Sequence, residues 1–276
     1  MGEVQITSAE RRPPFLRKRT LNPDRRLSSI SVFLLAHNEE GNIKRVIDGF
    51  RAELPKLTDD YEIIVVNDGS SDHTSQIAEG MAAADCHLRV VHHTVNRGYG
   101  AAVISGINAA SKEYVLLSDG DGQFDPADFA RLAGKVWDYD VVVGCRVRRA
   151  DPFVRRLNGK AWSLLMRLLF DLRITDLDCG FKLFRREALT NLQLEAKGAM
   201  ITTELMAKLA RRGARITEVE VRHLPRTAGE QSGNSLRVIA RAFIELPALY
   251  RKLRAARRSG NARPARHRKG GASRTN

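Results

Sequence analysis

Residues 61–72 read YEIIVVNDGSSD, and this stretch decides the fold class. Its first part, Tyr61–Asn67, is a short apolar, β-branched run, which is typical of a strand buried on both faces of a sheet. The run ends in a polar turn, where Asp72 is a candidate N-cap for a helix that extends through Ala84. A buried strand that passes through a turn into a helix is the building unit of a parallel α/β sheet.

The same alternation recurs on both sides of this stretch. Apolar runs predict strands over residues 30–36, 88–93, 114–118 and 140–145, and helical patterns cover residues 42–54 and 100–110. We therefore predict an α/β fold with a mostly parallel central sheet and helices on both faces. Beyond Arg146 the pattern predicts a basic loop, an apolar helix over residues 161–172, mixed elements to Val221 and an amphipathic helix over residues 235–257.

The positive charge of the chain is concentrated at its two ends. Residues 1–28 hold seven basic and three acidic residues, and residues 251–276 hold ten basic and no acidic residues. Residues 29–250 are neutral, with 29 residues of each sign, although the whole chain carries +14. We expect disordered basic tails at 1–28 and 258–276, an α/β domain at 29–234 and a helix at 235–257. Such tails either solubilise the chain or attract it to an anionic membrane surface.

Composition excludes several classes of protein. The three cysteines form no C-x-x-C pair, which excludes a disulfide scaffold and a zinc ribbon. The neutral central segment and an aromatic content of 6% argue against a nucleic-acid-binding protein. The N-terminus is polar and no stretch approaches the roughly 20 apolar residues of a membrane span. We therefore expect a cytoplasmic protein that contacts the inner face of the membrane peripherally, if at all.

The acidic turn after the strand at 114–118 is the strongest local feature. It reads Asp119-x-Asp121-x-Gln123, and ligands of parallel sheets bind beyond the carboxyl ends of the strands. Paired carboxylates at such a turn are suited to hold Mg²⁺ or Mn²⁺ against substrate phosphate oxygens. Phe124 and Ala130 occupy positions where an EF-hand requires Gly and Glu, which excludes that motif. An acidic turn without a metal is the alternative.

Two other polar positions follow predicted strands. Asp68 is a candidate to accept hydrogen bonds from a nucleotide base, or it is simply part of the turn that Asp72 caps. Gly98-x-Gly100 resembles the start of a dinucleotide fingerprint, but Val103 stands where the third glycine belongs. These glycines instead favour close packing of a helix on the sheet.

Seven motifs in register carry a resemblance to a known family. They are LLAHNEE (34–40), VVNDGSSD (65–72), NRGYGAA (96–102), DGDGQ (119–123), GCR (144–146), DCGFK (178–182) and EL (204–205). Together they resemble family 2 glycosyltransferases, in the dolichyl- or polyprenyl-phosphate mannose synthase-like branch, over about residues 29–250. The resemblance implies a GT-A fold, a GDP- or UDP-sugar donor, Mg²⁺ or Mn²⁺, and inversion at the anomeric carbon.

The resemblance also implies roles for individual residues. The nucleoside would lie against Ala36, His37 and Glu39, with Asp68 on its base and Gly98 nearby. The donor and metal motif corresponds to Asp119, Asp121 and Gln123, and Arg146 corresponds to the family's Gly-x-Arg. The acceptor phosphate would lie near Arg155 and Arg226. Ala36-His37 replaces the usual aromatic residue or proline, and the sequence after Arg226 departs from the family's loop, so base stacking and the acceptor loop are expected to differ.

The acceptor leaves two mechanisms open. A polyprenyl phosphate is already ionised and requires positioning by cations rather than a base. A basic cluster offers these cations, unless it is only a solvated loop: Arg146, Arg148, Arg149, Arg155, Arg156 and Lys160. A hydroxyl acceptor, as in a soluble family 2 enzyme acting on a glycan or small molecule, requires a carboxylate base. Glu204 is the candidate base, or it is an acid at a helix N-terminus.

Overall fold

The computed structural model describes residues 26–146, 153–170, 172, 174–196, 198–229, 244–252 and 254, and the side chains of 153–160 lie outside this description. The strands are β1 (Ile30–Ala36), β2 (Tyr61–Asp68), β3 (Leu88–His93), β4 (Tyr114–Asp119), β5 (Val141–Arg146), β6 (Phe181–Arg185) and β7 (Ile216–Val221). The α-helices are α1 (Ile43–Glu53), α2 (Thr74–Ala83), α3 (Tyr99–Ala109), α4 (Phe129–Ala133), α5 (Phe153–Phe170), α6 (Arg186–Leu189), α7 (Met200–Arg211) and α8 (244–252). Two 3₁₀ helices cover Leu54–Lys56 and Pro126–Asp128.

The strands of the described residues form one seven-stranded sheet in the order β3-β2-β1-β4-β6-β5-β7. Neighbouring strands are parallel except where β6 runs antiparallel to β4 and β5. The chain leaves β1 toward β2 and β3, then returns to place β4 on the other side of β1. This change of direction opens a crevice at the carboxyl ends of β1 and β4, which is where open α/β sheets bind ligands.

Two apolar layers cover the two faces of the sheet. Alternate residues of β1 point to opposite sides, so Phe33 packs with α3, α5 and α7, whereas Val32 and Leu34 pack with α1 and α4. Helix α3 lies so close to the sheet that a Cβ on Gly106 would come within 2.2 Å of the Phe33 ring. This close approach explains the small residues of α3.

The predicted fold class is confirmed, and the differences are local. Strands β1 and β3 have the predicted bounds. The prediction of a basic loop after Arg146 is wrong in part, because α5 begins at Phe153 rather than at residue 161 and places Arg155, Arg156 and Lys160 on a helix. Arg148 and Arg149 lie outside the described residues, as do the tails at 1–25 and 255–276.

The predicted C-terminal helix is described only over 244–252, where it packs on the domain. Leu246 and Leu249 are buried in the apolar layer formed with α5, and Tyr250 contacts Phe170 with ring centroids 6.0 Å apart. Residues 230–243 lie outside the described part of the chain. Among the described residues, no helix combines the length and the apolar character needed to cross a membrane.

Candidate active site

The carboxyl ends of β1 and β4 bring together most of the side chains that the motifs predicted. The register of the two strands pairs Leu35 with Asp119, and the N–H of Gly120 donates to the carbonyl of Leu35 at 2.8 Å. The loop after β1 therefore lies beside the acidic turn after β4. The loops after β2, β3 and β7 and the loop before β6 build the rest of the described site.

The loop after β1 is anchored by a buried carboxylate. Glu39 Oε2 accepts from Asn42 Nδ2 at 2.8 Å, and Glu39 Oε1 accepts from Arg226 Nη2 at 2.5 Å. The backbone N–H of Glu39 donates to Thr74 Oγ1 at 2.7 Å. Burial raises the pKa of Glu39, and the contacts with Asn42 and Arg226 oppose this shift. The side chain thus fixes the loop of residues 36–42 rather than facing free solvent.

His37 is held in one tautomer by its neighbours. Asn96 Oδ1 accepts from the N–H of Gly98 at 2.9 Å, which orients Asn96 Nδ2 to donate to His37 Nε2 at 3.0 Å. The ring proton therefore lies on Nδ1, which donates to the carbonyl of Asp68 at 2.9 Å. Both ring nitrogens are occupied, so His37 offers a ligand the face of its ring.

Asp68 is nearly buried, with 5% of its surface exposed, and its carboxylate contacts protein groups. Oδ1 accepts from the N–H of Arg97 at 2.9 Å and pairs with His93 Nδ1 at 2.6 Å. Oδ2 accepts from the N–H of Gly98 at 2.9 Å. Gly98 has a φ of 89° and directly precedes α3, so Asp68 orders the start of that helix.

The acidic turn after β4 contains an unsatisfied oxygen. Asp119 Oδ1 is buried and has no hydrogen-bond partner among the described residues. Asp121 Oδ1 accepts from the N–H of Gln123 at 3.0 Å, and Gln123 Nε2 donates to the carbonyl of Leu224 at 3.3 Å. Gly180 covers the turn so closely that a Cβ there would lie 1.9 Å from Asp119 Oδ2.

Asp119 and Asp121 form a candidate cation site. Burial, followed by the charge of Asp121, raises the pKa of Asp119 to about 7, against the opposing effects of Lys182, Arg146 and the Tyr99 hydroxyl. Asp119 Oδ1 is buried without a hydrogen-bond partner and lies near the second carboxylate of Asp121, so a bound cation would offset the negative charge of the pair. Carboxylate oxygens are hard ligands of the kind that Mg²⁺ and Mn²⁺ prefer. The residues present therefore fit the divalent metal that the motif predicted.

Arg146 is oriented by a carboxylate that the sequence did not identify. Its Nε and Nη2 donate to the two oxygens of Asp176 at 2.7 and 2.8 Å, a bidentate pair that raises the pKa of Arg146. Glu218 accepts the N–H groups of Thr175 and Asp176 at 2.8 to 3.0 Å and so fixes the Asp176 loop. Arg146 reaches the site in a single orientation.

A buried lysine lies behind the acidic turn. The side chain of Lys182 has no exposed surface, and its Nζ donates to the carbonyl of Cys179. Burial lowers the pKa of Lys182, whereas nearby carboxylates, including those of Asp178 and Asp119, raise it. Lys182 thus supplies positive charge on the protein side of Asp119.

Arg226 contacts the acidic turn as well as the loop after β1. Besides its contact with Glu39, Nη1 lies 3.5 Å from Asp121 Oδ2, and Nε donates to the carbonyl of Ala228 at 2.8 Å. The loop after β7 is tied further by Thr227, which donates to Asn42 Oδ1 at 3.0 Å. Arg226 therefore links the loop after β1 to the acidic turn.

Glu204 lies in a separate environment from this cluster. Its Oε2 accepts the N–H groups of Glu195 and Ala196 at 2.9 and 2.8 Å, and Oε1 pairs with Lys208 Nζ at 2.6 Å. These partners belong to α7 and to the loop before it. The carboxylate of Glu204 thus holds the backbone of the loop before α7 and forms an ion pair with Lys208.

A second group of potential metal ligands lies at the amino end of β3, an edge strand of the sheet. Asp85, Cys86 and His87 precede β3 and have their ligand atoms within 4.8 Å of one another. Asp85 is already paired with Arg51 at 2.7 Å. The group thus lies at the other end of the strands from the crevice, and Arg51 partly neutralises it.

Some site residues were missed by sequence reasoning. Tyr99, His93 and Asp176 contact Asp119, Asp68 and Arg146, respectively. His93 ends β3, and Tyr99 follows the loop after β3. Because ligands of parallel sheets bind beyond the carboxyl ends of the strands, both positions could have been singled out from the sequence. Asp176 stands two residues before the DCGFK motif and carries no comparable signal.

A doubly covered α/β sheet with a candidate cation site at the crevice of β1 and β4 defines a protein of the GT-A fold class. The chain belongs to glycosyl transferase family 2, whose sequence model matches residues 31–192. The predicted family and fold are thereby confirmed.

Two curated relatives share this similarity. The chain is 29% identical over 217 residues to the undecaprenyl-phosphate 4-deoxy-4-formamido-L-arabinose transferase of Pseudomonas fluorescens, covering 78% of this chain and 62% of that protein. It is 28% identical over 221 residues to the protein of the same name from Serratia proteamaculans, covering 77% and 65%. The matched region thus spans less than two thirds of these relatives.

Solved structures show the same architecture. Glucosyl-3-phosphoglycerate synthase from Mycobacterium tuberculosis in complex with Mn²⁺, UDP and phosphoglyceric acid is 26% identical, with a TM-score of 0.58 over 87% of this chain and 80% of that one. The same enzyme with Mn²⁺ and UDP-glucose is 25% identical, with a TM-score of 0.59 over 87% and 81%.

Proposed function

We propose that this protein is a metal-dependent inverting glycosyltransferase that moves a hexose from a nucleotide-diphosphate sugar to a polyprenyl phosphate. The observation that carries this proposal is the unpartnered buried oxygen of Asp119 beside Asp121, at the crevice of β1 and β4. The names of the relatives, which act on undecaprenyl phosphate, and the neighbours crystallised with Mn²⁺ and UDP support it.

In this proposal, Asp119, Asp121 and Gln123 hold Mg²⁺ or Mn²⁺. A bound divalent cation supplies neutralisation of the charge that develops on the departing diphosphate. The nucleoside of a UDP- or GDP-sugar lies against the loops that contain Ala36 and Glu39. The occupied ring nitrogens of His37 leave its face as the contact surface for a base.

The contacts of Glu204 favour a phosphate acceptor over a hydroxyl acceptor. Its carboxylate already accepts two backbone N–H groups and pairs with Lys208, so a base role would require these contacts to be given up. A phosphate monoester, with a second pKa near roughly 6, is largely ionised at neutral pH and needs no base. Arg146 and the helix-borne Arg155, Arg156 and Lys160 would position it, and Arg226 stands beside the metal motif.

We further propose that the protein works at an anionic membrane surface. Helix α5 contains no acidic residue, and its Leu168 side chain is 75% exposed, while Ile244 at the start of α8 is 77% exposed. The ten basic residues of 251–276 follow directly. Each basic group near such a surface contributes at most about 1 kcal/mol, and less at high salt. Deleting residues 255–276 should therefore reduce cosedimentation with anionic vesicles, and equal binding at low salt would contradict this role.

A donor and acceptor panel tests the function. Enzyme and Mn²⁺ are incubated with UDP- and GDP-sugars, with polyprenyl phosphate, with the matching polyprenol or with no acceptor, and released nucleoside diphosphate is measured. Release that depends on polyprenyl phosphate is expected. Release that requires a hydroxyl acceptor would support the alternative with Glu204 as base, and release with none of the donors would contradict the proposal.

A further inference from the structure

A buried chain of hydrogen bonds lies beneath the loop after β3. His93 ends β3, and only 3% of its side chain is exposed. Its Nδ1 lies 2.6 Å from Asp68 Oδ1, and its Nε2 lies 2.8 Å from Ser105 Oγ on α3. None of these three residues reaches the acidic turn directly, so the chain is not part of the cation site.

The chemistry of the chain fixes the direction of its hydrogen bonds. The Asp68 carboxylate only accepts, so Nδ1 of His93 must carry a proton and donate. Ser105 then holds the ring from the other side at Nε2. A histidine locked at both nitrogens holds the carboxylate of Asp68 in one orientation.

The orientation of Asp68 determines the backbone that leads to the cation site. Its two oxygens receive the N–H groups of Arg97 and Gly98, the last residues before α3. Helix α3 then begins at Tyr99, whose hydroxyl contacts Asp119. The backbone carbonyl of Asp68 also contacts His37. Asp68 thus joins the loop after β1 through its carbonyl and the loop after β3 through its carboxylate.

We propose that His93 is a positioning residue of the donor site, which rests on the nucleotide-sugar function proposed above. His93 holds Asp68, and Asp68 holds the loop of residues 96–98 in the shape that receives the nucleoside diphosphate. The Asp68 carboxylate already accepts three hydrogen bonds from the protein, from His93 and from the N–H groups of Arg97 and Gly98. Asp68 therefore acts on the nucleotide chiefly through this loop. Loss of His93 raises the donor Kd and KM more than it lowers kcat.

Two isosteric substitutions separate positioning from packing. In His93→Asn, the amide nitrogen stands near the position of Nδ1 and keeps the hydrogen bond to Asp68. In His93→Gln, the amide nitrogen stands near the position of Nε2 and keeps only the contact with Ser105. His87→Asn is the matched control, because His87 precedes the other end of the same strand and pairs with Asp85 at 3.3 Å.

Calorimetric titration with UDP and GDP in the presence of Mn²⁺ gives the readout, together with steady-state kinetics. Loss of a charge-assisted hydrogen bond predicts a Kd about tenfold or more weaker for His93→Gln, a smaller weakening for His93→Asn, which gives up only the Ser105 contact, and an unchanged control. Amide hydrogen exchange at Arg97 and Gly98 should accelerate most in His93→Gln. If His93→Gln fails to fold, Ser105→Ala is expected to show a smaller weakening of the same kind.

The outcomes separate this inference from the proposed function. Wild-type protein that binds neither nucleotide would overturn both. Wild-type binding with equal affinity in His93→Gln, or equal losses in His93→Asn and His93→Gln, would overturn the positioning role alone. Unchanged binding in Ser105→Ala, where His93→Gln cannot be obtained, would also overturn it.

Discussion

Replacing Asp119 with Asn should make the protein more stable while it removes metal binding. The side chain keeps its shape, but the charge that burial and Asp121 disfavour is lost. In the folded chain the pKa of Asp119 is raised from its ordinary 3.8 to about 7. A carboxyl group with a raised pKa holds its proton longer in the folded than in the unfolded state. The contribution of Asp119 to the wild-type free energy of unfolding therefore falls as pH rises from about 4 to about 7, and is level above that.

The size of the effect follows from the same shift. Each pKa unit corresponds to 1.36 kcal/mol, so the change from 3.8 to about 7 sets an upper bound of about 4 kcal/mol at pH above 7. The variant lacks this penalty. Its advantage over the wild type should be near zero at about pH 4 and should reach its full size at about pH 8.

Urea denaturation in the presence of a chelator, at several pH values, measures this difference. Asp59→Asn is the control, because the side chain of Asp59 is 90% exposed and its substitution should leave stability nearly unchanged at every pH. Mn²⁺ titration of the folded variant should show loss of metal binding. A variant that is less stable than the wild type at about pH 8, or a gap that does not change with pH, would refute the electrostatic reasoning about Asp119.

Four further substitutions test the site. Asp121→Ala should abolish transfer and weaken binding of nucleoside diphosphate, as measured by titration with Mn²⁺, and full activity in EDTA would contradict this. Arg155→Ala should raise the acceptor KM roughly 10- to 150-fold, whereas Glu204→Gln should retain substantial transfer; the reverse pattern in steady-state kinetics would favour a hydroxyl acceptor. Gly180→Ala should displace the Asp119 carboxylate, because the new Cβ would lie 1.9 Å from Oδ2. Its circular dichroism should stay native while Mn²⁺ affinity falls, and unchanged affinity would show that the turn can adapt.

The strands that could be predicted from the sequence are those with a continuous local run of apolar residues. Strands β1 and β3 have their predicted bounds because their apolar and β-branched residues form uninterrupted runs. Strand β6 was not predicted, because the buried Lys182 interrupts its apolar pattern. Its antiparallel pairing with β4 and β5 depends on where the chain returns to the sheet, which local sequence does not encode.

The candidate site divides in the same way. Asp68, Asp119 and Asp121 were found because each follows a buried strand. Their partners were not, because tertiary structure sets them: Arg226 pairs with Glu39 across 187 residues of chain, and His93 reaches Asp68 across 25. The sequence position of Glu204 on a helix suggested a catalytic base, but the sequence did not reveal that its carboxylate holds the loop before α7 and pairs with Lys208.

The central claim is that sugar passes from a nucleotide to a lipid phosphate at the Asp119–Asp121 turn. The direct measurement follows a donor labelled in its sugar, incubated with Mn²⁺ and either polyprenyl phosphate or the matching polyprenol, with the product extracted into organic solvent and identified by mass spectrometry. We predict a glycosyl-phosphate lipid that forms only with polyprenyl phosphate and is lost in Asp121→Ala. Label that enters the organic phase equally with polyprenol, or that persists in Asp121→Ala, would contradict the claim.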